Sequence, residues 1–370
     1  MKLLKWIVII VGAGVILFAG ALAFIAATFD PNQYKQQVAD LVKEKTQRTL
    51  TIEGDIRLLL FPKLGVYLGK TRLSGFRNEE AFAGLDEMRV SLALIPLLSR
   101  QVVVDQVQLV GLHAGLVKYK DGKTNFDDLF GGGEKQEPEP QEPKPTAKPE
   151  PEQPAAPIRF DVEGIRVSNA AVSWRDEAAG TEYKVSNIGI KTGRVAEKVP
   201  VKFELGAAFS ASEPKLDVTL QSAGTLTADL QNRTYALAVL SAVVKAIGPQ
   251  LDANVDIKLS DLQASPAMLR IGDVLVSIDA KQADNVVKGK LSTPVTANLE
   301  TQVFELPKLA GEFDITAPAL PMKTLKLPLA GTVSADLKQQ MVNVDLTTKL
   351  DESNIKAKIA LSQFDALFTR

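Results

Sequence analysis

Cysteine is missing from this sequence, histidine occurs once, and aromatic residues make up only 6% of it. Without a thiol there is no disulfide framework, no thiolate zinc site and no cysteine nucleophile, and either redox compartment suits the chain. The single histidine, His113 in the strand-like "GLHAGLVKY", has no second imidazole with which to share a metal and no neighbouring nucleophile to activate. It reads as an ordinary strand residue. An excess of one charge is also lacking, because 43 basic residues face 44 acidic ones for a net charge of -1. No surplus of cations remains to neutralise a phosphate backbone, which argues against nucleic acid as a partner. The acidic pairs Asp127-Asp128 and Asp176-Glu177 stand beside turns and read as solvated turn residues rather than acid–base dyads. Gly131-Gly132-Gly133 precedes no helix and is no phosphate cradle. With no catalytic constellation, cofactor motif or metal-ligand set, the chain is not expected to be an enzyme.

What is present begins with a run of 24 uncharged residues from Trp6 to Phe29, preceded by Lys2 and Lys5. Roughly 20 such residues cross a bilayer, and lysines on the N-terminal side favour a cytoplasmic tail with export of everything after Phe29. A cleaved signal peptide is the alternative, with Ala21-Leu22-Ala23 as its small-residue site. The run continues past that site, beyond a usual signal core of about 7 to 15 residues, which favours an uncleaved anchor. Pro31 then sits where a helix can begin, and Tyr34, Val38, Leu41 and Val42 follow at helical spacing. This predicts an amphipathic helix ending near Gln47, most simply one that caps a sheet.

Beyond Arg48 the period changes to two. Apolar residues alternate at Leu50 and Ile52, at Ile56, Leu58 and Leu60, at Leu64, Val66 and Leu68, and at Met88, Val90, Leu92 and Leu94. Residues 131 to 157 hold eight prolines and six glutamates among 27 residues, the composition of a solvated linker. Alternation resumes after it at Leu251, Ala253, Val255, Ile257 and Leu259, at Val342, Val344 and Leu346, and at Ile355, Ala357 and Ile359. The expected organisation is a tail and anchor over 1–29, a helix with a β module over 30–130, the linker, and an elongated mainly β region over 158–370. "YALAVLSAVVKAIG" (235 to 248) fits a helix and a strand equally. Val104, Val107, Leu109, Leu112 and Leu116 share their spacing with Val162, Ile165, Val167, Ala170 and Trp174, a faint internal repeat. A sheet with one dry face must cover it with a second sheet, close as a barrel, or leave a groove for an apolar ligand, and periodicity alone does not choose. Low aromatic content argues against a transmembrane barrel.

Three blocks, "FDPNQYKQQVADLVKEKTQRTLTIEGDIRLLLFPKLGVYLG", "LDEMRVSLALIPLLSRQVVVDQVQLVGLHAGL" and "FDVEGIRVSNAAVSW", follow the apolar run in that order. Over about residues 1 to 175 this arrangement resembles the AsmA family of bacterial envelope proteins. The resemblance implies an inner-membrane anchor, a periplasmic body, and a chorein-like N-terminal helix leading into a long, open, antiparallel, taco-like β-groove. Members are associated with outer-membrane biogenesis, through phospholipid movement and through effects on outer-membrane protein assembly. On that footing the groove-lining candidates are Ile52, Ile56, Leu58, Leu60, Leu64, Val66, Leu68, Val90, Leu92, Leu251, Val255, Ile257, Leu259, Val342, Val344 and Leu346. The expected partners are the membrane, a phospholipid and an envelope or outer-membrane protein, with no cofactor. The rival expectation is an anchored β-sandwich scaffold with a dry core that acts through protein contacts. Family members usually continue into a further β-domain, so the stop at "ALSQFDALFTR" suggests the N-terminal portion of a longer protein. Twelve to fifteen strands at about 4.8 Å each would give a groove of roughly 60 to 70 Å.

Overall fold

The computed structural model describes residues 30–59, 63–93, 104–130, 161–350 and 353–362. The apolar run to Phe29, the linker, Leu60 to Pro62, Leu94 and the residues after Ser362 lie outside them. Among the described residues no helix is long and apolar enough to cross a membrane.

Asp30 opens the described chain as a cap, its carboxylate accepting the Asn32 N–H at 2.9 Å, with Pro31 at the first helical position. A 3-10 turn (Pro31–Tyr34) leads into α1 (Lys35–Thr46). Gln47 ends α1 in the left-handed conformation with φ of 54°. The Asn32 side-chain amide imitates a neighbouring strand: it accepts from the Ile56 N–H at 2.9 Å and donates to the Ile56 carbonyl at 3.1 Å.

Nearly everything that follows is strand. The first group is β1 (Leu50–Ile52), β2 (Ile56–Leu59), β3 (Leu64–Leu68), β4 (Thr71–Ser74), β5 (Ala81–Leu85), β6 (Glu87–Leu92), β7 (Val104–Val110) and β8 (His113–Lys118). Across the linker come β9 (Asp161–Asp176), β10 (Thr181–Thr192), β11 (Val195–Ala196), β12 (Val201–Ala211), β13 (Leu216–Asp229), β14 (Thr234–Gly248), β15 (Leu251–Ala264) and β16 (Met268–Gln282). The last are β17 (Asn285–Asn298), β18 (Val303–Thr316), β19 (Leu325–Asp336), β20 (Met341–Leu350) and β21 (Ser353–Ser362). All 21 belong to one sheet, and from β12 onward each strand pairs antiparallel with the next. The ambiguous 235–248 segment is β14, a strand, because its whole length is hydrogen-bonded between β13 and β15. Sheet pairing overrides the helical preference of its alanines.

The internal repeat is a parallel pairing. Val104 faces Val162, Val107 faces Ile165 and Leu109 faces Val167, while Leu116 faces Trp174. The segments on the two sides of the linker therefore share one sheet at β7, β8 and β9.

Two lines of irregularity cross this sheet. The first breaks each early strand into halves at Gly54, Gly69, Asp86 and Gly111, and continues through Asn169 and Asn187, at φ of 55° and 52°. Gly54 and Gly69 sit where two backbones touch, and a Cβ on Gly54 would collide with Gly69 Cα and Lys70 N. The second line passes through register shifts at Gly224/Leu226, Ile271/Val274, Ser292/Thr296 and Leu306/Leu309. Pro294 and Pro307 lie inside the last two of these, where the missing N–H leaves no ladder bond unmade. Bulges bend strands and increase their twist, so both lines act as creases along which the sheet curls.

The result has almost no conventional core. Among the described residues the buried apolar side chains are Phe82, Val162, Ala170, Ile271, Ala297 and Leu309.

Candidate functional site

Paired residues in adjacent strands point to the same side of a sheet, so the register can be followed from one end to the other. Starting at β2, Ile56 pairs with Leu68, Leu68 with Met88, Met88 with Leu109, and Leu109 with Val167. The row continues through Ile190, Leu205, Ser222, Ala242 and Ile257. It then crosses Val276, Leu291, Gly311, Leu329 and Thr348 to end at Ile355 in β21. Serine, glycine and threonine interrupt this apolar row once each, and no charge enters it.

One residue further along each strand the other face appears. Its row reads Arg57, Tyr67, Arg89, Gln108, Arg166, Lys191 and Glu204 over the first strands. Ala223, Ser241, Lys258, Leu275 and Ser292 follow, then Ala310, Ala330, Thr347 and Lys356. Tyr67 lies between two guanidinium groups, Arg57 at 5.6 Å and Arg89 at 5.3 Å from its ring centroid. In β13 the two faces alternate strictly between half-buried and exposed from Leu216 to Ala223. The apolar side is the sheltered one.

Sheltered does not mean covered. Ile257, Val276, Leu291 and Leu329 are only half-buried, and Val66 is 40% exposed. In β21 the exposures reach 46% at Ile355 and 48% at Ile359. A second sheet packed on this face would bury such side chains almost completely. The single sheet leaves its apolar side as an open groove.

The groove candidates fall on this side. Ile56, Leu58, Leu64, Val66, Leu68, Val90 and Leu92 meet through the β2, β3 and β6 pairings. Ile52 shares its side with Leu50, whose pairing runs through Leu73 and Ala83 to Ala114 in β8. Leu251, Val255, Ile257 and Leu259 occupy the same parity in β15, as do Val342, Val344 and Leu346 in β20. Leu60 lies outside the described residues. Sequence reasoning missed Leu109, Val167, Ile190, Leu205, Val276, Leu291 and Leu329, which complete the row between those groups.

A depression of about 730 Å³ crosses β9 to β14, but it belongs to the other side. Arg166, Lys191, Glu204, Ala223 and Ser241 of the polar row line it, and β14 contributes Ser241 and Val243 rather than Ala242. Val167, Ile190, Leu205 and Ser222 of the apolar row also reach its wall, which carries groups of both charges.

At the end of the groove near α1 lies Arg48, the one fully buried large side chain among the described residues. It donates from Nε and Nη2 to the two Asp128 carboxylate oxygens at 3.0 and 2.7 Å, and to the Ser74 and Asn125 carbonyls at 3.2 and 2.9 Å. Its guanidinium lies 4.0 Å from the Phe82 ring centroid. Asp128, expected to be a solvated turn residue, is instead bound to this buried cation. The pair clamps the segment before the linker to the end of α1. His113 is exposed, with Nδ1 2.8 Å from the Gly111 carbonyl oxygen. Among the described residues no group of three or more acidic or histidine side chains is placed to hold a metal ion.

Comparison with protein families matches residues 1–369 to the AsmA family. The chain belongs to the AsmA family. Protein AsmA of Escherichia coli (strain K12) is 31% identical over 97 residues, which are 26% of this chain and 16% of that relative. The alignment thus spans a small share of the relative's length. No solved structure matches the chain. The open apolar side of the sheet, continuous from Ile56 to Ile355, is the candidate site.

Proposed function

We propose that this is an inner-membrane-anchored envelope protein, its body in the periplasm, whose groove takes phospholipid acyl chains and lets them pass between membranes. The observation that carries the reading is the uncovered apolar row from Ile56 to Ile355. Each acyl methylene withdrawn from water there gains about 0.8 kcal/mol, so even partial shelter holds a lipid tail. The lipid headgroup stays in water at the open side, which avoids the cost of burying a charged phosphate unpaired. Neighbouring rungs are chemically alike, so a tail moving from one to the next exchanges one apolar contact for another. The groove supplies a path and neither direction nor energy. A scaffold with a dry internal core is the less suitable reading, because that core would bury the row.

The test compares two variants of the full chain. Ile257→Asp with Leu291→Asp charges the apolar row, whereas Lys258→Asp with Ser292→Asp changes the opposite face of the same strands. Phospholipid bound per chain, measured by mass spectrometry after purification, should drop for the first pair and hold for the second. Equal lipid in both folded variants contradicts the proposal.

A further inference from the structure

From β12 onward each strand runs back along the one before it, so the connections between strands fall alternately on two rims of the sheet. On one rim the same turn occurs three times, as "DLQNR" (229–233), "NLETQ" (298–302) and "DLKQQ" (336–340). In each, the first side chain accepts the backbone N–H three residues on, at 3.1 Å for Asp229, 2.9 Å for Asn298 and 2.8 Å for Asp336. Each ends on a left-handed residue, with φ of 52° at Arg233, 60° at Gln302 and 52° at Gln340. The second position is a leucine every time, and Leu230, Leu299 and Leu337 are 61%, 41% and 43% exposed. One exposed leucine is ordinary, but the same exposed leucine in three like turns of one rim marks a surface with a use. Two of them are also held firmly: the Leu299 N–H donates to the Ala267 carbonyl at 2.7 Å and the Leu337 N–H to the Gln302 carbonyl at 3.0 Å.

These leucines continue the groove. Ala228, Ala297 and Ala335 lie on the apolar side, and each leucine follows two residues later. The last row before this rim is apolar, running from Tyr235 through Ala264, Leu269, Ala297 and Phe304 to Ala335. The opposite rim ends differently. Its connections over 212–215, 249–250, 283–284 and 317–324 carry Glu213, Lys215, Gln250, Asp284 and Lys323, with Met322 the one large apolar side chain exposed in them. In the row before them Leu251 gives way to Gln282 and Asn285.

We infer that a phospholipid in the groove lies across it in one orientation, with its acyl ends toward Leu230, Leu299 and Leu337 and its headgroup at the rim of Lys215, Asp284 and Lys323. This rests on the groove reading above and adds an orientation to it. A reversed lipid would set a charged headgroup among leucines and acyl methylenes beside charged turns, giving up apolar burial at one end and polar partners at the other. Every lipid along the row then presents its headgroup to the same rim.

The full chain is reconstituted with one of two probes, separated from free lipid and irradiated. One probe is phosphatidylethanolamine with a diazirine at the acyl terminus, and the other carries the diazirine on the headgroup amine. Peptide mass spectrometry places the adducts. Acyl-end adducts should outnumber headgroup adducts at residues 230, 299 and 337, and the ratio should invert at residues 213–215, 250 and 284. Rim labelling that is equal for the two probes, reversed or absent overturns the inference, while adducts at Val276 and Leu291 leave the groove standing. Adducts of neither probe along the apolar row of the folded chain remove the groove and the inference together.

Discussion

Arg48 illustrates how a single residue can govern the base of a structure that has little core. A buried guanidinium stripped of its carboxylate is left uncompensated, so Asp128→Ala should cost about 3–5 kcal/mol. Replacing both partners, with Arg48→Met and Asp128→Leu, should cost much less, since a packed apolar pair needs no countercharge. Urea unfolding combined with hydrogen exchange around Thr49 and Ser74 measures both. Nothing in the sequence announced this pair, because its members are 80 positions apart and each looks like a surface residue locally. The hairpin aspartates make a second prediction at this scale. Asp229 has its pKa lowered chiefly by the Asn232 N–H it accepts, and Asp176 by the Ala179 N–H, helped by Lys118. A carboxylate with a depressed folded pKa stabilises the fold above the ordinary aspartate range and loses that contribution as pH falls through its lowered value. Acidification should therefore speed exchange of the Asn232 and Ala179 amides only below the usual carboxylate range. Asp229→Asn should keep the turn and lose this pH dependence at Asn232, which amide NMR across a pH series would report.

At the scale of elements, the strands were legible wherever the period of two ran unbroken, as from Leu251 to Leu259 in β15 and in β20. It failed where a bulge inserts a residue. In β9 the inward residues are Ile165 and Val167 before Asn169, then Ala170, Val172 and Trp174 after it. In β16 they change from Ile271 to Val274, Val276 and Ile278. A parity change of this kind looks like lost alternation when read linearly, although it keeps the apolar row intact in space. The creases should therefore be sensitive to backbone rather than to hydrophobicity. Asn169→Val places a β-branched residue at φ of 55° and should cost about 1–2 kcal/mol. Asn169→Gly should cost clearly less, and thermal unfolding of the two variants provides the comparison. The amphipathic helix was legible as well, but its exposed flank was not, because helical spacing shows which residues are apolar and not which neighbour covers them.

Over the whole molecule, the row from β2 to β21 extends about 70 Å along the hydrogen-bonding direction at ~4.8 Å per strand. Composition and periodicity alone did not distinguish a groove from a sandwich, since both demand one dry face per strand. The choice follows from the exposure of Val66, Ile355 and Ile359, which only the folded chain reveals. An apolar side left partly exposed at both ends of the row is also what would let a lipid enter and keep its headgroup wet. The most direct measurement is a photocrosslinking scan in phospholipid vesicles, with the reactive residue placed in turn at Val276, Leu291 and Leu329 of the apolar row and at Leu275, Ser292 and Ala330 beside them. The account predicts lipid adducts at the first three positions and none at their neighbours. Adducts at both sets, or at neither in a folded chain, would contradict it.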